Sequence, residues 1–193
     1  PILAKRVEAA GADAIVVEGM EAGGHIGVLT TMALMTQVIP EVSLPVIVAG
    51  GFADGRGLAA ALVMGAAGVQ IGTRFMLAEE CAVHPNFKQR LIEAADTDSV
   101  VTGQTIGHAV RGVRNQFTDM FISMEYKHHP KEELEKMATG TNRKAAVDGD
   151  VEQGMVQAGQ SLLPLKRVQP AAEIVNEIME DAKAALQQAP SLL

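Results

Sequence analysis

The chain has 193 residues, long enough for one good core and too short for two ordinary domains, and its 48% apolar against 20% charged residues exclude a disordered chain. Sixteen Lys and Arg against 23 Asp and Glu give a net charge of −7, which argues against a nucleic-acid surface, and the Gly-broken apolar runs predict neither a membrane span nor a signal peptide. The single cysteine, Cys81, excludes an intrachain disulfide framework and a multi-cysteine zinc site, and a cytoplasmic setting is expected.

Ile2, Leu3, Val7 and Ala10 follow a helical period that Gly11 stops. A chain that opens in a helix feeding straight into a strand is expected to be the C-terminal part of a longer protein. The run Ala-Ile-Val-Val at 14–17 predicts a strand buried on both faces. Residues 30–39 have helical spacing and end at Pro40. Pro-Val-Ile-Val-Ala at 45–49 is the next strand, Asp54 caps a helix that Gly65 ends, and Gly-Val-Gln-Ile at 68–71 is the third strand. A helix is expected over 86–95, a solvated, charged helical stretch over 119–140, and a helix over 151–163. Pro170 opens a last amphipathic helix through Ile174, Ile178, Ala182 and Ala185, and no second core is expected.

Strand and helix alternate as βαβαβ, with Gly at each strand's C-terminal end. The pattern predicts part of a (β/α)8 barrel with its ligand at that end, and a doubly wound sheet is the competing arrangement. The barrel is favoured because the loops after two successive strands both suit phosphate. These are Gly50-Gly51 and Gln70-Ile71-Gly72-Thr73, where backbone N–H groups free of Cβ can approach an anion. Either loop alone is an ordinary Gly-rich turn; the pair on successive strands is more specific.

The segment Glu-Gly-Met-Glu-Ala-Gly-Gly-His-Ile-Gly at 18–27 follows the first strand. Four Gly in ten residues suit a backbone that turns tightly and passes close to a flat ligand. His25 can donate a hydrogen bond or exchange a proton near neutral pH. An isolated Gly-Gly-His more often belongs to a loop whose His merely caps a helix, a reading that the preceding strand weakens without removing. His84 and His108 read as structural, His128 and His129 as solvated, and Cys81 as a buried small residue. No His, Asp and Glu cluster has metal-ligand spacing. The ten Met read as core or substrate-tunnel lining.

The segments at 18–27, 45–51 and 70–75 together resemble the flavin-dependent 2-nitropropane dioxygenase-like superfamily, which contains nitronate monooxygenases and type II enoyl-acyl-carrier-protein reductases. His-Pro-Asn-Phe-Lys at 84–88, Gly-His-Ala-Val-Arg at 107–111, Gly149-Asp150 and Ala-Gly-Gln at 158–160 are similar to the reductase branch. The resemblance implies the last three strands of a barrel over 1–98, an inserted subdomain over 99–150, and helices returning to the barrel over 151–193. It implies FMN, its phosphate held by Gly50, Gly51, Gly72 and Thr73, with Gln70, Ile71, Gly23 and Gly24 beside the flavin and Met155 and Gln160 near the ring or substrate. His25 matches the family's catalytic histidine. The implied reaction reduces an enoyl-acyl-carrier-protein with NADH or NADPH in bacterial fatty acid elongation, by a homodimer. Nitronate oxidation is the alternative activity, and a scaffold without activity the non-enzymatic one.

Overall fold

The computed structural model describes residues 1–192. In chain order they form α1 (Ile2–Ala9), β1 (Ile15–Glu18), β2 (Gly24–His25), α2 (Thr31–Val38), β3 (Val46–Ala49), α3 (Gly55–Val63) and β4 (Gly68–Gln70). Then come α4 (Pro85–Glu93), β5 (Ser99–Thr102), β6 (Val110–Val113), α5 (Gln116–Tyr126), α6 (Lys131–Ala138), α7 (Thr141–Ala146) and α8 (Ala171–Gln188). Among the described residues no helix is long and apolar enough to cross a membrane.

The chain is a mixed α/β protein built on a parallel sheet of order β1-β3-β4. The expected punctuation works locally. Gly11 and Gly65 take φ of +90° and +95° after α1 and α3, and Asp54 Oδ1 accepts the Gly57 N–H at 3.0 Å to cap α3. The register aligns Ile15 with Val46 and Val17 with Val48, and these four side chains bury one face against α1, α2 and α3 through Ala4, Met35, Val38 and Ala61.

The opposite face differs from expectation. Register places Val16, Ile47 and Gly68 in one row and Glu18, Ala49 and Gln70 in the next. No described layer packs over Val16, which is 51% exposed. Burial in β1 therefore alternates, although its β-branched run reads as buried on both sides. Residue type records strand propensity, whereas coverage depends on what lies above each face.

A second sheet, antiparallel and of order β2-β6-β5, had no counterpart in the expected elements. Phe87 and Leu91 of α4 pack beneath it with Val113, Val156 and Leu162. The charged stretch also has an apolar side: Phe121 and Leu134 form a cluster with Phe117 and Met155.

The helix expected over 151–163 does not form, and the segment runs irregularly. Its backbone bonds outward instead of along a helix. Val156 O accepts the Val113 N–H at 2.9 Å, and the Gly159 and Gln160 N–H groups reach Thr73 Oγ1 and Glu21 O, each at 2.9 Å.

α8 lies on α3 through Ile174, Ile178 and Ala182. The approach is closest at Gly55, where a Cβ would stand 2.2 Å from Ile178 O and 2.3 Å from the Ala182 nitrogen. Both neighbours are helix backbone and cannot swing aside. Gly55→Ala should therefore destabilise the full-length protein by about 1–3 kcal/mol, as overpacking does, measured as a lowered midpoint in urea denaturation. Gly57→Ala, where the added Cβ would meet only the edge of the Phe52 ring at 3.0 Å, should cost less.

Candidate functional site

The C-terminal ends of β1, β3 and β4 open into a cleft of about 200 Å³ lined by Glu18, Gly23, Gly51, Gln70, Gly72 and Thr73, among others. Gly50 and Gly51 both take positive φ, +98° and +83°, a conformation that favours glycine. At Gly50 a Cβ would also stand 2.9 Å from Gly19 O and 3.0 Å from Thr31 Oγ1, so the residue has two reasons to be glycine. Gly72 differs: its φ is −94° and nothing lies within 4 Å of an added Cβ. The surrounding protein does not demand a glycine there, but a ligand lying against the main chain would. A 3₁₀ turn, Thr73–Leu77, starts at this point.

Glu21 lines the same cleft and braces its rear wall. Its carboxylate accepts the Thr31 N–H at 2.9 Å, satisfying the start of α2, and the Thr31 hydroxyl sits between Glu21 Oε2 (2.9 Å) and Gly50 O (3.0 Å). The negative charge of Glu21 is thus directed into a helix N-terminus. Partial burial pushes the Glu18 carboxyl up from its ordinary value.

His25 faces a different opening. β2 pairs it with Val110, and the Ile26 N–H extends the contact to Ala109 O at 3.0 Å. The imidazole lines a second cleft of about 360 Å³, whose apolar lining includes Ile106, Val110, Phe117, Phe121 and Met155. The rings of Phe117 and Phe121 lie 5.8 Å apart. At the rim His108 Nε2 lies 3.4 Å from Glu135 Oε1, joining the β5–β6 turn to α6. The turn is anchored by Glu125, buried, which accepts the Gly103 N–H (2.9 Å), the Thr105 N–H (3.0 Å) and the Thr105 hydroxyl (2.8 Å).

A family model described as nitronate monooxygenase matches residues 3–181. The chain belongs to the nitronate monooxygenase family. A probable nitronate monooxygenase of Staphylococcus aureus (strain MSSA476) is 37% identical over 191 residues, covering 93% of this chain and 53% of the relative. Another, from Staphylococcus haemolyticus (strain JCSC1435), is 33% identical over 190 residues with the same coverage. The chain therefore spans about half the length of the curated relatives it matches. Among solved structures, FabK from Thermotoga maritima is 42% identical with a TM-score of 0.94, over all of this chain and 61% of that one. A nitroalkane oxidase from Streptomyces ansochromogenes is 28% identical with a TM-score of 0.79, over 96% of this chain and 56% of that one.

Of the residues singled out in the sequence, Gly23, Gly50, Gly51, Gln70, Gly72 and Thr73 converge on the first cleft. His25 and Met155 line the second. Three are set apart from both. Gly24 packs against Gln157, Ile71 packs toward the α3–α8 core, and the Gln160 side chain is exposed while its N–H holds Glu21 O. The Thr73 hydroxyl accepts the Gly159 N–H at 2.9 Å, which leaves its own proton free to donate.

His84 is structural as expected, its Nδ1 accepting the Asn86 N–H at 3.1 Å at the start of α4. His108, in contrast, lines the second cleft. Glu21, Thr31, Glu125 and Arg111 were missed. Glu21 and Arg111 lay inside stretches read without a role for either, and the partners of Thr31, Glu125 and Arg111 are 10 or more residues away, beyond any local pattern.

The Glu21–Thr31 pair gives a test. In the full-length protein Glu21→Gln and Thr31→Val should each lower stability by about 1 kcal/mol, as loss of a cap does. The double variant should fall short of the sum by about 0.5 kcal/mol or more, because both substitutions remove one shared contact. Denaturant midpoints of the four proteins check it.

Proposed function

We propose that the full-length protein is an FMN-dependent enoyl-acyl-carrier-protein reductase that uses NADH or NADPH in bacterial fatty acid elongation. The observation that carries this reading is the apolar cleft beside His25. An enoyl thioester brings a hydrocarbon chain that must leave water, and Ile106, Val110, Phe117 and Phe121 offer it a lined space of about 360 Å³. The likeness to FabK, an enoyl-acyl-carrier-protein reductase II, extends over the whole chain and supports the same reading.

The residues fit FMN. Gly50 and Gly51 line the first cleft without side chains, Gly72 leaves open space, and Thr73 retains a hydroxyl proton, which together suit one terminal phosphate. Gln70 and Gly23 would follow the flavin along that cleft; Gly24, Ile71, Met155 and Gln160 are assigned more distant contacts. FMN, when bound, supplies the hydride that passes from NAD(P)H to the β-carbon of the enoyl group. His25 donates a hydrogen bond to the thioester oxygen, where negative charge collects as the β-carbon is reduced, and is the source of the proton that the α-carbon takes up. The exposed face of the parallel sheet, with Val16 uncovered, supports assigning residues 1–98 to part of a (β/α)8 barrel. On this reading 99–150 form an inserted subdomain that walls the apolar cleft, and 151–193 return to the barrel.

Nitronate oxidation is the second reading, favoured by the names of the curated relatives. There His25 would take a proton from the carbon beside a nitro group. A paired assay separates the two: NAD(P)H oxidation with a short enoyl thioester, against oxygen uptake with an alkyl nitronate. Enoyl-dependent oxidation without nitronate-dependent uptake is expected; the reverse overturns the reductase reading.

Denatured full-length protein should release FMN and not FAD, and Gly72→Val should lower flavin occupancy, read from the absorbance of the released flavin. Full occupancy in that variant would refute the phosphate assignment. His25→Ala should stay yellow while enoyl reduction falls about 10²–10⁴-fold, the usual loss for one positioned acid. His25→Gln should recover part of it if hydrogen bonding to the thioester oxygen outweighs proton transfer, measured as single-turnover reoxidation of the reduced enzyme.

A further inference from the structure

We infer that Arg111 is a positioning residue that holds the His25 loop in register with the apolar cleft. The inference rests on the reading of His25 given above.

The loop has a narrow neck. The Met20 N–H donates to Leu29 O at 2.8 Å, so residues 20–29 close on themselves and carry Glu21, Gly23, Gly24 and His25 between the two ends. Arg111 lies on β6 and grips this loop twice. Its main chain stands opposite Gly24 in the β2–β6 pairing, one residue from His25. Its side chain turns back to the neck, where Nε donates to Met20 O at 3.0 Å. The other arm of the guanidinium, Nη1, donates to Ser99 Oγ on β5 at 2.9 Å. A single residue thus ties together the loop's neck, the strand bearing His25 and the strand behind it.

The choice of arginine is unfavourable on burial grounds alone. Arg111 is 3% exposed, and among the described residues no carboxylate lies within ion-pair distance of it. Burial pulls the guanidinium below its ordinary pKa, against which the more distant charge of Glu21 works. An apolar residue would fill the same space without that penalty. What it could not do is span two acceptors on different elements with one rigid planar fork. Lys could keep the charge and one bond, but it offers no fixed pair of donors.

A residue that only stabilised the fold would lower the unfolding midpoint and leave the folded enzyme unchanged. A positioning residue must change the loop and the chemistry within the folded enzyme. The test uses full-length holoenzyme carrying Arg111→Met or Arg111→Lys, with two readouts. In hydrogen exchange, the Ile26 and Thr31 amides should exchange at least about tenfold faster in Arg111→Met while the α8 amides stay protected, as a local opening requires. Per bound flavin, kcat for enoyl reduction should fall about 10–100-fold, the scale of a displacement near 1 Å at a reacting group, with KM changed far less. Arg111→Lys should fall between wild type and Arg111→Met in both, and it carries the test if the Met variant does not fold.

Unchanged loop exchange together with wild-type kcat per flavin in the folded variants would overturn the inference. If wild-type enzyme reduces no enoyl thioester, the functional reading fails instead. The exchange data then decide the role of Arg111 on their own.

Discussion

The contact on which the site depends is one of backbone against backbone, between the His25 loop and the segment 158–160. A Cβ on Gly23 would fall 2.5 Å from the carbonyl carbon of Ala158, and one on Gly159 would fall 2.7 Å from Glu21 O. Both positions exclude a side chain because main chain occupies the space. The approach allows Gln160 N–H to reach Glu21 O and Gly159 N–H to reach Thr73 Oγ1. Three loops distant in sequence, with Thr73 and Gly159 86 residues apart, are thereby joined by two main-chain N–H groups, one to a carbonyl and one to a short side-chain hydroxyl, whose geometry is stiffer than that of long side chains. This also accounts for the irregular path of 151–169. A helix there would close its N–H groups on itself and leave Glu21 O and Thr73 Oγ1 without these donors.

Charge follows the same architecture. A cleft suited to phosphate has two carboxylates, Glu18 and Glu21, in its lining, which by themselves would repel an anion. Glu21 is turned toward the first turn of α2 and its partial positive charge, so its field is largely spent there. Glu18 projects from the exposed face of the sheet, in the row of Gln70 and below the level of the Gly50 turn. Its raised pKa moves it toward the neutral form, and an anion bound nearby would move it further in the same direction.

What was legible in the sequence is what local chemistry controls. Gly11, Gly65 and Asp54 end or start helices by their own backbone and side-chain preferences, and α1, α2, α3, α8 and the three parallel strands lie where their periodicity put them. The convergence of Gly50, Gly51, Gly72 and Thr73 was also legible, because successive parallel strands must bring their C-terminal loops together. Three features were not. β2 has two residues, too few for any alternation to show. The start of β6 lies in the 107–111 stretch, read only for its resemblance, and the turn joining β5 to β6 is held by Glu125, 22 residues beyond Gly103. The apolar side of α5 and α6 was hidden by charge: Lys131, Glu132, Glu133, Glu135 and Lys136 dominate a helix whose one buried residue, Leu134, decides how it packs.

The placement of His25 completes the argument about chemistry. It does not share the glycine cleft; it lines the apolar one, while Gly23, just before it in the chain, lines the first. Such a partition suits a reaction between two ligands that enter from different sides, one held by its anion and the other by its hydrocarbon. The dividing wall has to be thin for their reacting atoms to meet. Between Gly23 and His25 the chain passes from the lining of one cleft to the lining of the other. In Gly-Gly-His the missing Cβ of Gly23 admits the main chain of Ala158 and Gly159, which fixes where this strand lies, and His25 is the side chain that it thereby places at the apolar cleft.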